Sequence, residues 1–320
     1  MVKKSINSIK VSTYIDRSAF YKVVYFFVGI INYLIYLPFS EIVHIHFSEA
    51  TSAKRKNIFL LLAILCHKKT ILHFHAFSPE TSLFGKSQLL YKKMFQRCDV
   101  SIALSNIWKD EMIKLGVESK KINVIYNPCP DILFNRNIQN KQNNIIFAGT
   151  LNERKGFKDL INAFSSIAER YPDWNIVLAG NGEIQEGEIL AKKLNIEKQV
   201  RFIGWISNEK KVIEFSQASI FCLPSYAEGF PMAVLDAWAY GLPVITTPVG
   251  GLPDVLEHRE NALIFNPGDI NKLTENLELL ITDIKLREKL AAKSFELSHT
   301  IFNLNNTAQQ IDNLYLSLNK

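Results

Sequence analysis

Glu228 and Asp236 stand eight residues apart in the run Ser225-Tyr-Ala-Glu-Gly-Phe-Pro-Met-Ala-Val-Leu-Asp236. Glu228 falls in a Gly- and Pro-bearing turn just after the apolar run Ala218–Leu223. Asp236 falls one or two turns into the helix that follows. A second apolar strand, Leu242–Thr246, comes next and ends in a Pro/Gly loop. In a strand–loop–helix–strand unit, the loop and the helix N-terminus lie at the carboxyl edge of a parallel sheet, where such sheets bind ligands. Exposed N–H groups at that edge favour anions. Carboxylates are poorly suited to phosphate, but each can accept from a pair of hydroxyls. Amides for phosphate beside acids for hydroxyls describe a nucleotide-sugar site.

Lys155 adds the missing cation. It precedes Gly156 in a strand-to-helix loop, where a positive charge can neutralise a diphosphate as it departs, the electrostatic task such a transfer needs most. Arg154, its neighbour, is a candidate second cation. In Leu178-Ala-Gly-Asn-Gly-Glu183 the glycines Gly180 and Gly182 allow close backbone approach. Gln185 stands where a dinucleotide fingerprint would need a third glycine, so that motif is excluded. Four histidines form two pairs, His44 with His46 and His73 with His75, and members of a pair share one face of a strand. Adjacent strands bearing such pairs could hold a metal. No acidic or sulfur ligand is placed near them in sequence, so no metal site is expected. His46 and His75 stand at the carboxyl ends of their strands.

The elements that must position these residues alternate. Strands are expected at Ile9–Tyr14, Glu41–Phe47, Thr70–His75, Val100–Leu104 and Ile122–Tyr126, separated by helices Ala19–Leu37, Asn57–Cys66, Lys86–Arg97 and Asn106–Leu115. A polar stretch from Asn127 to Asn144, dense in Pro, Asn and Gln, reads as an interdomain linker. Alternation then resumes with strands Asn144–Gly149, Asn175–Ala179, Val200–Ile203, Ile220–Leu223 and Val244–Thr246. The helices between them are Phe157–Arg170, Gly187–Leu194, Glu209–Phe215 and Met232–Tyr240. A short strand, Ala262–Phe265, and helices Ile270–Thr282, Ile284–Thr300 and Thr307–Leu318 complete the chain. Such alternation predicts an α/β fold with parallel, doubly wound sheets. The domains are expected to span residues 1–134 and 135–300, with 301–320 a final helix returning to the first domain.

Length agrees, since single cores seldom grow beyond about 250–300 residues and this chain has 320. Nearly half its residues are apolar, which excludes global disorder. A net charge of +6 suits anionic nucleotides or an anionic membrane surface, and is not the dense basic patch of a nucleic-acid binder. The four cysteines are far apart, with Cys66 and Cys222 read as buried thiols. Reducing cytoplasm is the expected compartment. No signal-peptide pattern is seen. Phe20–Phe39 is apolar and long enough to span a membrane. It is read as a helix packed on a sheet, with an interfacial helix or a true span as alternatives.

The segment Glu228 to Asp236 resembles the E-x7-E signature of retaining glycosyltransferases of family 4. Ala148-Gly-Thr-Leu-Asn-Glu-Arg-Lys-Gly156 resembles that family's G-R-L-x-x-x-K-G loop, with Thr150 where Arg is usual. Phe202-Ile-Gly-Trp-Ile206 resembles its base-binding segment, and Leu72-His-Phe-His-Ala76 the histidine-bearing strand end of its first domain. The resemblance covers roughly residues 40–300 and implies the GT-B fold, two Rossmann-like domains facing across a cleft. It implies Glu228, Lys155 and His75 as catalytic residues. Around the donor it places Thr150, Arg154, Gly180, Asn181, Gly182 and Ile206. The amides of Gly229, Phe230 and Met232, with Pro231 and Leu235 beside them, follow on the phosphate side, and Asp236 on the ribose hydroxyls.

The implied reaction is sugar transfer from a nucleoside-diphosphate sugar, a uridine-diphosphate sugar in preference, with retention at the anomeric carbon and without metal or other cofactor. The leaving diphosphate would take the acceptor's proton. A basic first domain with an apolar helix suggests a saccharide or polyprenyl-linked acceptor at the inner face of a bacterial membrane, hence a cytoplasmic, peripheral protein of surface-polysaccharide assembly. Two alternatives stay open: a non-catalytic or truncated nucleotide-sugar binder, and a nucleotide-sugar epimerase. Proteins of this kind begin with a strand and a Gly-rich loop before the segment matching Ile9–Tyr14. Only eight residues precede it here, so the first domain is expected to lack that strand and loop. Lys155 and Glu228, as loop residues, are expected to be dispensable for folding.

Overall fold

The computed structural model describes residues 8–15, 18–132 and 141–319. The chain divides into two compact units. One comprises the described residues up to Ile125 together with those from Ala308 on, and the other runs from Tyr126 to Thr307. The expected boundary at 134/135 and part of the Asn/Gln linker lie outside the described residues.

The first unit begins with an extended segment and helix α1 (Ala19–Tyr36). Then come β1 (Ile42–Phe47), α2 (Ala50–Leu65), β2 (Lys69–Phe74), α3 (Gln88–Arg97), β3 (Val100–Ala103), α4 (Asn106–Lys114) and β4 (Ile122–Val124). Its four strands pair in the order β1-β2-β3-β4, all parallel. In-phase register places His46 beside His73 and Ile45 beside Leu72. Period-two alternation then sorts the two faces. Val43, Ile45, Phe47, Leu72 and Phe74 join the core beneath α2, α3 and α4. Ile71 and Ile102 form a smaller cluster on the other face with Ile125 and Leu314.

Three expectations fail in this unit. Ile9–Tyr14 forms no strand, and no strand among the described residues precedes β1. The segment lies instead across α1, where a Cβ at Gly29 would sit 3.0 Å from the Ser12 carbonyl oxygen. An apolar alternating run becomes a strand only where a neighbour accepts its ladder of hydrogen bonds. Cys66 is exposed, because it caps α2 on the solvent side rather than continuing the buried stripe of Ala53, Phe59, Leu60 and Ala63. The helix at 20–39 is not packed over most of its surface. Tyr33 and Leu37 are buried and Phe26 and Ile30 partly so, but Phe20, Val23, Phe27, Ile31 and Leu34 are exposed. By length and composition this segment is able to cross a membrane, and only 17% of it is buried.

The second unit contains β5 (Asn144–Ala148), α5 (Phe157–Ser165), β6 (Asn175–Ala179), α6 (Ile184–Lys193), β7 (Val200–Phe202), α7 (Asn208–Gln217), β8 (Ile220–Leu223), α8 (Met232–Ala239), β9 (Val244–Thr246), β10 (Leu263–Ile264), α9 (Ile270–Thr282) and α10 (Ile284–His299). Helix α11 (Leu304–Leu318) ends the chain, and its residues from Ala308 belong to the first unit. The sheet order is β10-β9-β8-β5-β6-β7, all parallel. Every residue of β8 and β9 is buried, as expected for strands covered on both faces. Because the strands are parallel, the segments following Ala148, Ala179, Leu223 and Thr246 all leave from one edge.

Candidate active site

At that edge two loops are pressed together. Gly156 has φ 67°, and a Cβ there would lie 2.0 Å from the carbonyl oxygen of Pro224, so only glycine allows the contact. The Tyr226 amide donates to the Arg154 carbonyl (2.8 Å). Asn152 Oδ1 accepts from the Lys155 amide (3.1 Å) and closes the turn that carries Arg154 and Lys155. On the other side, Gly250 passes so close to Glu228 that a Cβ would lie 2.0 Å from the Glu228 carbonyl oxygen. The Gly251 amide donates to the Gly229 carbonyl (2.7 Å). The Thr247 hydroxyl donates to the Ser225 carbonyl (2.5 Å). The Glu228 turn is therefore held from two directions by backbone.

Glu228 is buried and its carboxylate is the centre of a charged cluster. Oε1 accepts from Lys155 Nζ at 2.5 Å and from Ser225 Oγ at 2.6 Å. Oε2 faces the Arg154 guanidinium at 3.5 Å, and the same guanidinium nitrogen donates to the Ala227 carbonyl at 2.6 Å. The Lys155 and Glu228 side chains are 12% and 7% exposed, so water screens their attraction little. Charge-assisted bonds of this kind are short and directional. The cluster presents two cations and one acid at the end of the two central strands.

Asp236 is held separately. Its Oδ1 lies 2.6 Å from Lys211 Nζ, a residue of α7. Burial raises the Asp236 carboxyl above its ordinary value, and Lys211 opposes that shift. The Gly180–Gly182 segment lies along the Thr150 loop: the Leu151 amide donates to the Asn181 carbonyl and the Glu183 amide to the Leu151 carbonyl, both at 2.8 Å. Asn181 Oδ1 accepts from the Trp205 amide (3.1 Å), which brings the Trp205–Ile206 segment alongside. Thr150 is exposed and Ile206 is buried.

Two of the expected donor residues are packing residues by their side chains. Phe230 sits with its ring 5.5 Å from those of Tyr126 and Phe302. Leu235 has no exposed surface. Either can meet a ligand only through its backbone. Pro231 precedes α8, whose first turn has no side-chain cap.

His75 belongs to the first unit. Its amide donates to the Phe47 carbonyl (2.8 Å) and its Nε2 is 2.9 Å from His46 Nδ1. Burial, followed by His46, lowers its pKa to about 3. Sequence reasoning missed Ser225 and Lys211 as site residues. Ser225 was signalled only by its place three residues before Glu228. Lys211 carried no signal, because a Lys-Lys pair on a helix reads as a solvated face.

Comparison with known proteins now bears on this geometry. Residues 130–297 match the model of the glycosyl transferases group 1, and residues 9–130 match that of Glycosyltransferase Family 4. The chain belongs to the group 1 glycosyl transferases. An uncharacterized glycosyltransferase of Haemophilus influenzae is 33% identical over 205 residues, 62% of this chain and 56% of that protein. A lipopolysaccharide 1,6-galactosyltransferase of Salmonella typhimurium is 26% identical over 244 residues, 74% of this chain and 67% of that protein. The chain thus matches less than two thirds of the length of the Haemophilus relative. Among solved structures, Anabaena Alr3699/HepE in complex with UDP superposes with a TM-score of 0.76 at 18% identity, covering 90% of this chain and 81% of that one. Sucrose-phosphate synthase from Thermosynechococcus elongatus does so with 0.77 at 22% identity, covering 95% and 80%. The fold of this glycosyltransferase is accordingly GT-B, built of two α/β units with parallel sheets.

Proposed function

We propose that the chain transfers a sugar from a nucleoside-diphosphate sugar to a saccharide or polyprenyl-linked acceptor, with retention at the anomeric carbon. The observation that carries this reading is the partly buried cluster of Lys155, Arg154 and Glu228 at the carboxyl edge of the second sheet. The two cations receive the diphosphate, Glu228 takes hydroxyls of the transferred sugar, and Asp236 takes ribose hydroxyls. The bond from the anomeric carbon to the diphosphate oxygen breaks while the acceptor oxygen bonds to that carbon from the same face. The acceptor's proton passes to the departing diphosphate oxygen. Lys155 and Arg154 stabilise the charge that develops there, so the step needs no metal and no other cofactor. His75 is the residue of the first unit assigned to this chemistry.

Uridine diphosphate is the preferred carrier in this reading, since the Anabaena neighbour was solved with UDP and with UDP-glucose. Surface-polysaccharide assembly is the setting, because relatives include lipopolysaccharide galactosyltransferases and an amylovoran biosynthesis glycosyltransferase of Erwinia amylovora. The location is cytoplasmic and peripheral at the membrane. Residues 1–125 and 308–320 contain 19 Lys and Arg against nine Asp and Glu. That excess beside the exposed apolar face of α1 suits an anionic bilayer.

The test is turnover with a panel of uridine- and guanosine-diphosphate sugars and polyprenyl-linked saccharides, with the anomeric configuration read by NMR. Release of free nucleoside diphosphate with an α-linked product from an α-linked donor is expected. Tight nucleotide binding with no product from any donor would mark a binding protein, and an inverted product would refute the mechanism.

A further inference from the structure

The first unit contains a second cluster of chemical groups, on the sheet face opposite its main core. His44 and His46 of β1 and His73 of β2 share that face with His75, just beyond the strand end. Register puts His46 directly beside His73. The rings pack together, with centroids 4.6 Å apart for the stacked pair His44 and His46, 4.7 Å for the tilted pair His46 and His73, and 4.3 Å for the stacked pair His73 and His75. One ligand nitrogen from each of His44, His46 and His73 can be chosen so that all three lie within 4.8 Å of one another.

Their hydrogen bonding is lopsided. His44 Nδ1 is 2.6 Å from the Tyr315 hydroxyl of α11, while its Nε2 is buried without a partner. His46 Nδ1 is 2.9 Å from His75 Nε2. His73 is 95% buried, being only 5% exposed, and both of its ring nitrogens lack a partner. An orphaned buried polar group is costly, so its retention calls for a ligand or a function.

We propose that His44, His46 and His73 form a binding site for one borderline divalent transition-metal ion such as zinc. Three neutral imidazoles are a ligand set for zinc, nickel, cobalt or copper, and not for magnesium or calcium, which take oxygen. In the site as proposed, Nδ1–H of His44 donates to the Tyr315 hydroxyl and Nδ1–H of His46 to His75 Nε2. Each bond fixes the tautomer and leaves the Nε2 lone pair for the metal, the arrangement in which outer partners orient histidine ligands. His46 is exposed and supplies the entry path. An imidazole with its ordinary pKa of about 6.5 is already mostly neutral at pH 7, so binding requires little proton release. Tetrahedral zinc with Zn–N of ~2.0–2.1 Å sets its ligand nitrogens ~3.3 Å apart. Closing from the present spacing takes rotation about χ2, a broad torsion for histidine. The metal is assigned no step in the transfer, and the site stands whether or not His75, the partner of His46, serves that chemistry.

The experiment uses the full chain, free of any polyhistidine tag, with Cys66→Ser to remove the exposed Cys66–His67 pair as a competing chelator. Zinc is titrated calorimetrically, and cobalt is used as a spectroscopic probe. One equivalent per chain is expected, with nitrogen-ligated cobalt absorption, no thiolate charge-transfer band and a raised thermal midpoint. His73→Phe should weaken binding at least about a hundredfold, and Tyr315→Phe about tenfold, the scale of an outer-partner loss. If His73→Phe alters the circular dichroism, His46→Gln decides, because that side chain is exposed and its loss leaves the core intact. Absence of stoichiometric uptake at 100 µM zinc, roughly ten times the weakest useful affinity, would overturn the site. So would uptake unchanged by His46→Gln.

Discussion

Removing Glu228 should damage stability as well as turnover, and unequally compared with removing Lys155. Glu228→Ala leaves the Lys155 ammonium in a site where its side chain was 12% exposed, with no other carboxylate bonded to it among the described residues. Stripping one partner from a buried ion pair costs about 3–5 kcal/mol. Lys155→Ala leaves Glu228 with the Ser225 hydroxyl at 2.6 Å and the Arg154 guanidinium at 3.5 Å, so the orphaned charge is partly compensated and the loss is smaller. The double variant should lose less than the sum of the singles, because no buried charge is left alone. Sequence alone suggested that both positions, as loop sites, could be changed without harm to the fold. The low exposure of both side chains argues the other way. The assay is urea unfolding of the full chain followed by tryptophan fluorescence, since Trp174 and the fully buried Trp238 report on this unit. Turnover should fall at least about a hundredfold in each single variant. Equal losses below about 1 kcal/mol, the value of an exposed pair, would refute the reasoning.

Lys211→Met should raise the Asp236 carboxyl further, because burial already favours its neutral form and Lys211 is the group opposing it. The acid limb of nucleotide binding, read by calorimetry, should then move to higher pH; an unmoved limb would dissociate Asp236 from the donor. The first unit should lose stability on acidification. His44, His46, His73 and His75 have folded pKa values below their unfolded ones, so their contribution is present above about pH 6.5 and is lost as pH falls toward the folded values, about 3 for His44 and His75. Tyr315, Lys56 and Lys10 face the same cluster, and His73→Phe should flatten the slope of stability against pH between those limits. Transfer should persist in excess EDTA well below the thermal midpoint, and a loss reversed by Mn²⁺ or Mg²⁺ would show that a cation other than Lys155 and Arg154 serves the diphosphate. Phe27→Glu with Ile31→Glu should reduce co-sedimentation with vesicles containing anionic lipid several-fold; equal binding by both proteins would remove α1 from the membrane contact.

Much of the second unit was legible because its strands are uninterrupted apolar runs bounded by Gly and Pro. The expected spans for β6, β8 and β9 coincide with those observed, and so do the loops leaving their carboxyl ends. The E-x7-E pattern could be read because both acids come from one short stretch. The burial of Glu228 was less visible, since it arises from Gly156 and Gly250 bringing three loops together. Lys211 meets Asp236, and Tyr315 meets His44, across separations that no periodicity marks. The first unit was harder to read at its start. Ile9–Tyr14 has strand composition, yet strand formation depends on a partner elsewhere in the fold. The helix at 20–39 has the composition of a buried helix, but burial depends on what packs against it.

The two acids of the site are built for different work. Glu228 is fixed by a hydroxyl and two cations on a turn that backbone contacts clamp from both sides. A carboxylate so placed changes position little when a ligand arrives, and preorganisation of that kind is what stabilises a transition state. Asp236 sits on a regular helix and, among the described residues, pairs with one cation, Lys211, on a different helix. It is also one methylene shorter than the Glu its family commonly places there. Lys211 occupies one of its oxygens and leaves lone pairs on the other for hydroxyls. Positional precision is thus concentrated on the residue assigned to the transferred sugar. The residue assigned to the ribose has adjustable reach and a protonation state set by burial against one ion pair, that with Lys211. In the proposed reading, discrimination among sugars is the task of the Glu228 turn and affinity for the nucleotide that of the Asp236–Lys211 pair.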